Sequence, residues 1–232
     1  MAIKLDAFIL NRNKNGFFME NLNWIFFDVG STLIDENKSY QDFIERSISL
    51  LEEHNIEVGF EQFYQMMLKS SKNYQNPLQS TWEQFSSSLK LDRPVWDVKN
   101  DRLFPCVRET LEELSKYYSL GIIANQIAGL EERLRKWEII SYFKIIVSSA
   151  EVGIYKPNPA IFQLALTKAK AKSTQCLYVG DRCDNDIIPA KRLGFKTVRI
   201  LQGVGSVQAE DPIYPSDFQI FEISDLLTIL GK

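Results

Sequence analysis

Short apolar segments typical of buried strands alternate with helical segments along most of this chain, and that order constrains its fold most strongly. The predicted strands are residues 24–29, 120–124, 143–148, 176–179 and 196–200, with a short last one at 218–221. Helices are predicted at residues 107–117, 129–137 and 159–168, ahead of Gly194, and from 224 onward. Alternation of this kind predicts an α/β fold, a doubly wound, Rossmann-like parallel sheet with helices on both faces.

Residues 36–103 interrupt this alternation. Their apolar residues recur at helical spacing, and no segment among them is typical of a buried strand. We therefore predict a helical cap at 36–103, inserted into an α/β core formed by residues 19–35 and 104–232. Residues 1–18 are predicted to be an extension, with Met19 as an alternative start of the native protein.

Composition limits what the chain can bind. Hydrophobic residues make up 45% of it and the formal net charge is −3, with no block of Lys and Arg. A disordered chain and a nucleic-acid-binding surface are therefore both unexpected. No apolar run approaches the roughly 20 residues that span a bilayer, so no membrane partner is expected. We expect a small-molecule partner, and the sequence leaves the oligomeric state open.

The cysteine and histidine counts exclude several chemistries. The three cysteines show no CxxC spacing, which argues against a disulfide framework or a zinc site and favours a reducing, cytoplasmic location. The only histidine is His54, in a stretch typical of a solvated helix end. A solvated His54 argues against Ser-His-Asp catalysis, and without a second histidine multi-histidine metal sites are excluded. Proton transfer must then involve carboxylates, lysine, tyrosine or water.

The ends of the predicted strands carry the chemically interesting residues, because such sheets bind ligands beyond the carboxyl ends of their strands. Asp28 lies near the end of the first strand and is followed by Gly30, a pattern typical of a turn or of a nucleophilic or metal-binding aspartate. The fourth strand leads into Asp181, and carboxylates follow at Asp184 and Asp186. Three acidic residues this close repel one another unless a cation such as Mg²⁺ offsets their charge, so they predict a metal site.

Lys156 lies between these segments, just ahead of the helix predicted from residue 159. Asn158 suits the N-cap of that helix and Pro159 suits its first position. A lysine held there would complement an anion bound at the helix N-terminus. A solvated surface lysine is the alternative.

Together these segments resemble the motifs of the haloacid dehalogenase superfamily, over nearly the whole chain. Its first motif, Asp-x-Asp-x-Thr, is matched by Asp28 and Thr32. Its lysine motif is matched by Lys156, and its acidic motif, Gly-Asp-x-x-x-x-Asp, is matched at Asp181 and Asp186. The insert after the first motif resembles the small helical cap of one subgroup.

The resemblance implies a Mg²⁺-dependent hydrolase acting on a small phosphorylated substrate. Asp28 would attack phosphorus and form an aspartyl-phosphate that water hydrolyses, while Lys156 stabilises the negative charges. The metal would be bound by Asp28, the backbone carbonyl of Gly30, Asp181 and Asp186.

Two positions depart from the family pattern. Gly30 replaces the second aspartate of the first motif, which is the family's general acid/base, and Ala124 replaces a Ser or Thr whose hydroxyl contacts the phosphoryl group. Asn125 is expected to compensate in part through its side chain and backbone amide. The predicted phosphate contacts are then Thr32, Asn125 and Lys156.

These departures leave three interpretations open. The first is a phosphatase whose substrates need no proton on the leaving group, such as acyl or aryl phosphates, or one that recruits an acid from the cap. The second is dehalogenase or phosphonate hydrolase chemistry, although the pair Asp181 and Asp186 argues against a dehalogenase, which uses no Mg²⁺. The third is a catalytically weak protein that keeps the fold and binds phosphate or a partner.

Overall fold

The computed structural model describes residues 21–232, and their centre is a parallel β-sheet. In chain order the strands are β1 (Trp24–Phe27), β2 (Ile34–Asp35), β3 (Arg102–Leu103), β4 (Ser119–Ala124), β5 (Phe143–Ser148), β6 (Cys176–Gly180), β7 (Lys196–Ile200) and β8 (Phe218–Ile220). Six of them form the main sheet in the order β5-β4-β1-β6-β7-β8, with every neighbouring pair parallel. The predicted doubly wound α/β sheet is confirmed, and its order reverses between β1 and β6, which is where such sheets bind ligands.

Helices cover both faces of this sheet. In chain order the helices are α1 (Asn37–Glu52), α2 (Phe60–Lys72), α3 (Pro77–Ser86), α4 (Val107–Ser115), α5 (Leu130–Lys136), α6 (Ser149–Val152), α7 (Pro159–Ala169), α8 (Ile188–Arg192) and α9 (Asp225–Leu230). The first three, α1 to α3, belong to the insert and do not pack on the sheet. Ile25 and Phe27 of β1 join the apolar cluster covered by α4, α5 and α9, whereas Phe26 joins the cluster under α7 and α8. All three residues are fully buried, so β1 is apolar throughout because both of its faces are covered.

The insert contains α1, α2 and α3, which pack around their own apolar cluster that includes Phe43, Phe63 and Trp82. The chain leaves and re-enters the core through a short antiparallel ladder, in which β2 pairs with β3 and Ile34 lies opposite Leu103. This ladder is not predictable from the sequence, because two residues are too few to show a strand period. The division of the chain into core and cap at these positions stays a proposal.

The insert contacts the core through the segment after β7. A 3₁₀ helix, Gly203–Val207, lies there, and Val204 belongs to the apolar cluster of the insert. Ser71 Oγ donates a hydrogen bond to Val204 O at 2.6 Å, and Tyr74 Oη donates one to Ala209 O at 2.7 Å. These contacts position α2 and the turn after it against the core.

No helix among residues 21–232 combines the length and the apolar composition that crossing a membrane requires. The extension predicted at residues 1–18 lies outside the described residues. The same is true of Met19, the predicted alternative start.

Candidate active site

Three carboxylates meet at the carboxyl ends of β1 and β6. Asp28 directly follows β1, Asp181 directly follows β6, and Asp186 lies in the turn of π-helix that comes next, Cys183–Ile187. One oxygen of each carboxylate lies within 4.8 Å of the others, and all three residues are buried. Because β1 and β6 are adjacent and parallel, the sheet brings together the acidic residues that the sequence singles out.

Lys156 joins two of these carboxylates. Its Nζ donates hydrogen bonds to Asp28 Oδ1 at 2.7 Å, Asp186 Oδ1 at 2.6 Å and Tyr178 Oη at 3.0 Å. The side chain is only 2% exposed, so the alternative of a solvated surface lysine is wrong. Asn125 holds the lysine backbone from both sides, since its Oδ1 accepts from Lys156 N at 2.8 Å and its Nδ2 donates to Lys156 O at 2.9 Å.

Burial and mutual charge determine how these groups ionise. Burial raises the pKa of Asp28 to about 6, against the lowering effect of Lys156. Burial would lower the pKa of Lys156, but Asp186 and Asp28 outweigh it and raise that pKa, so the ammonium stays charged. The pKa of Asp181 is raised well above its usual value, first by burial and then by repulsion from Asp186 and Asp28.

The carboxylate cluster has the properties of a divalent metal site. When ionised, its members Asp28, Asp181 and Asp186 carry more negative charge than the ammonium of Lys156 offsets. Mg²⁺ is typically bound by one or two carboxylates and several waters, and it would balance the remaining charge. Gly30, whose carbonyl is the other predicted ligand, lines the same pocket. The residues present therefore fit the predicted ion.

The third carboxylate of the acidic loop, Asp184, has a different partner. Arg182 contacts both of its oxygens, through Nε to Oδ1 at 2.9 Å and through Nη2 to Oδ2. The backbone N–H of Arg182 also donates to Asp186 Oδ2 at 3.0 Å. The structure thus separates Asp184 from the carboxylate cluster, as expected if only Asp181 and Asp186 of this loop bind the metal.

The two other predicted phosphate contacts, Asn125 and Thr32, differ in their position relative to the pocket. Asn125 lines the pocket beside Asp28, with its side-chain amide already bonded to the backbone of Lys156. Thr32 is fully buried and does not line the pocket, and its hydroxyl has no hydrogen-bond partner among the described residues. Contact with phosphate stays a prediction for both residues.

The two positions that depart from the family motifs lie in contrasting surroundings. A Cβ atom placed on Gly30 would lie 2.6 Å from Glu36 Oε1. Glu36 is itself buried and lines the pocket, and burial, followed by the charge of Asp101, raises its pKa to about 8. Ala124 is fully buried at the end of β4 and presents only a methyl group.

Two site residues, Glu36 and Tyr178, carry no signal in the sequence motifs. Glu36 lies outside them, at the start of the insert. Tyr178 lies within β6, and the available hint is that a buried tyrosine hydroxyl usually has a hydrogen-bond partner. Its Oη is 2.8 Å from Ile123 O and 3.0 Å from Lys156 Nζ, so Tyr178 helps to position the lysine ammonium.

A pocket of about 400 Å³ opens over the carboxylates. The insert contributes Tyr40, Asn76 and Trp96 to its wall, and the core contributes Gln126 and Tyr155. A larger cavity of about 900 Å³ lies along α3 and the segment after it, but none of the three clustered carboxylates lines it. The chemistry therefore points to the smaller pocket as the active site.

The parallel sheet, the helical insert and the buried cluster of aspartates with a lysine define one class of enzyme. The chain belongs to the haloacid dehalogenase-like hydrolase family, whose sequence pattern matches residues 25–200. The predicted membership is confirmed, and with it the prediction that the chain is an enzyme of the hydrolase class.

Several known proteins are similar to this chain along most of its length. A glyceraldehyde 3-phosphate phosphatase of Pyrococcus furiosus is 31% identical over 92% of this chain and 95% of that protein. The pyrophosphatase PpaX of Oceanobacillus iheyensis is 27% identical over 91% of this chain and 98% of that protein. The crystal structure of a HAD phosphatase from Thermococcus onnurineus matches 90% of this chain and 98% of its own, with a TM-score of 0.65 and 21% identity. This last likeness concerns the fold alone.

Proposed function

We propose that this chain is a Mg²⁺-dependent phosphatase that hydrolyses a small phosphorylated metabolite through an aspartyl-phosphate on Asp28. The observation that carries the proposal is the contact between Asp28 and the buried Lys156, beside the carboxylates of Asp181 and Asp186. A nucleophile, a fixed cation and ligands for a divalent metal then share one pocket. The relatives named phosphatases support the same class.

Each residue has a role that follows from its position. Lys156 Nζ lies 2.7 Å from Asp28 Oδ1 and orients that carboxylate for attack on phosphorus. The same ammonium offsets negative charge on the phosphoryl group during transfer. Mg²⁺ bound by Asp28, Asp181, Asp186 and the Gly30 carbonyl would offset the repulsion between nucleophile and phosphate. Water then hydrolyses the aspartyl-phosphate.

The substrate is expected to be compact and polar. The pocket of about 400 Å³ is small, and its wall combines the aromatic rings of Tyr40 and Trp96 with the amides of Asn76 and Gln126. Phosphate esters of triose size suit these dimensions, and a relative is named for glyceraldehyde 3-phosphate. Pyrophosphate is the second candidate substrate, because another relative is named pyrophosphatase PpaX.

We propose a cytoplasmic location for the enzyme, because its three cysteines show no spacing typical of a disulfide framework or a zinc site.

A catalytically weak phosphate-binding protein is the second candidate. Ala124 favours it, because loss of a single donor to a transferring group can cost roughly 10² to 10³ in rate. A dehalogenase is disfavoured, because the chain keeps the acidic pair Asp181 and Asp186. The aligned relatives named phosphatases also argue against it.

Phosphate release from a panel of triose, sugar, acyl and aryl phosphates, with Mg²⁺ or with EDTA, tests the proposal. We expect turnover with Mg²⁺ that disappears in EDTA and in Asp28→Asn. Asp42→Asn makes the same change on α1, where Asp42 pairs with Arg46 outside the pocket, and should keep wild-type rates. A folded wild type that is inactive on the whole panel would favour the phosphate-binding protein.

A further inference from the structure

Gly30 leaves a space that another carboxyl group fills. It stands two residues after Asp28, where the family motif has its proton-exchanging aspartate. A Cβ atom placed on Gly30 would lie 2.6 and 2.7 Å from the two carboxyl oxygens of Glu36 and 2.9 Å from its Cδ. The Glu36 carboxyl group therefore occupies the space that an aspartate at position 30 would need.

Ser31 and Gly203 hold this carboxyl group in place. Ser31 Oγ donates a hydrogen bond to Glu36 Oε2 at 3.2 Å. A side chain on Gly203 would collide with Ser31 Oγ and Cβ, so the glycine makes room for the serine. Gly203, in the segment after β7, thus packs against Ser31, and Ser31 contacts Glu36. The Glu36 residue is only 8% exposed.

Helix capping does not explain the orientation of Glu36. It is the N-cap residue of α1, yet its side chain makes no capping hydrogen bond. Asp35 Oδ1 accepts a hydrogen bond from Asn37 N at 2.9 Å instead. Within residues 21–232 the Glu36 carboxyl group accepts a hydrogen bond from Ser31 alone, although buried carboxyl groups are usually paired. Because it lines the pocket with Asp28, its placement fits a role in the reaction better than a role in the fold.

We propose that Glu36 is the general acid and base of this enzyme, in place of the aspartate that Gly30 replaces; this role rests on the proposed function. As an oxygen of Asp28 bonds to phosphorus and the bond to the leaving oxygen breaks, that oxygen takes the proton of the Glu36 carboxyl group. The Glu36 carboxylate then takes a proton from water, whose oxygen bonds to phosphorus as the bond to Asp28 breaks. The alcohol and inorganic phosphate leave, and both carboxyl groups return to their starting states.

Glu36→Gln keeps the shape of the side chain and removes this proton exchange. With glycerol phosphate, whose leaving group needs a proton, kcat/KM is expected to fall about 10² to 10⁴-fold. With p-nitrophenyl phosphate, whose leaving group needs none, we expect a burst of one p-nitrophenol per active site followed by slow turnover. Asp28→Asn should show neither burst nor turnover, so failure of the nucleophile is distinguishable from failure of Glu36.

A relocation variant moves the acid to its usual position. Gly30→Asp combined with Glu36→Ala frees the space and restores a carboxyl group two residues after Asp28. It should recover the alkyl phosphate hydrolysis that Glu36→Ala alone loses. As a control, Glu45→Gln makes the same change as Glu36→Gln on the exposed side of α1, where Glu45 accepts a hydrogen bond from Gln41 and does not line the pocket, and it should keep wild-type rates.

The proposed role of Glu36 predicts a substrate-dependent defect that damage to the fold would not produce. Equal losses on alkyl and aryl phosphates in Glu36→Gln, without a burst, would overturn it. Hydrolysis of glycerol phosphate at wild-type rates by that variant would overturn it as well. A folded wild type inactive on the whole panel of phosphates would overturn the proposed function and this role together.

Discussion

Lys156 is the residue on which the charge balance of the site depends. Its ammonium lies 2.7 Å from Asp28 and 2.6 Å from Asp186, with its side chain almost completely buried. Buried ion pairs differ from surface pairs, because removing one partner leaves the other charge desolvated and uncompensated. The lysine is therefore as important for the fold of the site as for the reaction.

Lys156→Met is expected to lower the free energy of unfolding by about 3–5 kcal/mol and to abolish phosphate release. Denaturant unfolding of the metal-free protein measures the first effect. Lys144→Met is the control, because the Lys144 ammonium bonds Ser119 at the exposed surface and its loss should change stability by less than about 0.5 kcal/mol. Equal destabilisation by the two changes would contradict the structural role of Lys156.

The buried carboxyl groups also make the stability of the metal-free protein depend on pH. Burial raises the pKa of Asp28 from 3.8 to about 6, in a site shared with Lys156 and Asp186. It raises the pKa of Glu36 from 4.5 to about 8, beside Asp101 and Asp28. Because these folded-state pKa values lie above the unfolded ones, the stabilising contribution is complete below about pH 4 and is lost as the pH rises through the folded-state values.

We expect the free energy of unfolding in EDTA to fall between about pH 5 and about pH 8, which denaturant titrations across that range measure. Mg²⁺ should offset the fall, because only the folded protein assembles the three carboxylates. Asp28→Asn, which removes one of the titrating groups, should flatten the dependence. A metal-free protein that gains stability steadily over the same range would contradict this placement of the carboxyl groups.

At the scale of residues, the sequence predicts which side chains meet at the ends of adjacent strands. It does not predict side chains whose position depends on contacts between residues elsewhere in the chain. Asp28 and Asp181 follow adjacent parallel strands, so their proximity follows from the sheet alone. The placement of Glu36 depends on the space beside Gly30 and on the room that Gly203 leaves for Ser31. No rule of spacing along the chain contains that information.

At the scale of elements, the predictions agree with the structure where local signals are strong. The bounds of β5 and β7 are the predicted ones, and both strands are rich in β-branched residues, which favour strands. Gly194 adopts a φ of +90° just after α8, as expected for a residue that ends a helix. The segment Cys183–Ile187 differs, because it forms a turn of π-helix ahead of α8. Such turns are frequent at functional sites, and this one carries Asp186.

The N-cap of α7 gives a prediction at the same scale. Asn158 Oδ1 accepts a hydrogen bond from Ala160 N at 3.0 Å, as the sequence predicts. Asn158→Ala should lower the free energy of unfolding by about 1 kcal/mol, whereas Asn158→Asp, which keeps the acceptor, should retain most of it. Denaturant unfolding of the two variants measures the difference. Equal losses would show that the cap contributes nothing.

At the scale of the whole molecule, the pocket lies where the insert and the core meet. Tyr40 and Trp96 of the insert face the same pocket as Tyr155 and Asp28 of the core. Helical periodicity predicts that the insert is helical, but it does not say which of its faces covers the site. The contacts of α2 with the segment after β7 decide that orientation, and they join residues far apart in the sequence.

The most direct test of the proposed phosphatase is to detect a covalent phosphoryl group on Asp28. The protein is mixed with acetyl phosphate or glyceraldehyde 3-phosphate and Mg²⁺, quenched in acid within milliseconds, and analysed by intact-protein and peptide mass spectrometry. We predict the gain of one phosphoryl group, located on Asp28 and missing in EDTA and in Asp28→Asn. Phosphate release with no phosphoryl group on Asp28, or with one on another residue, would contradict the proposed reaction.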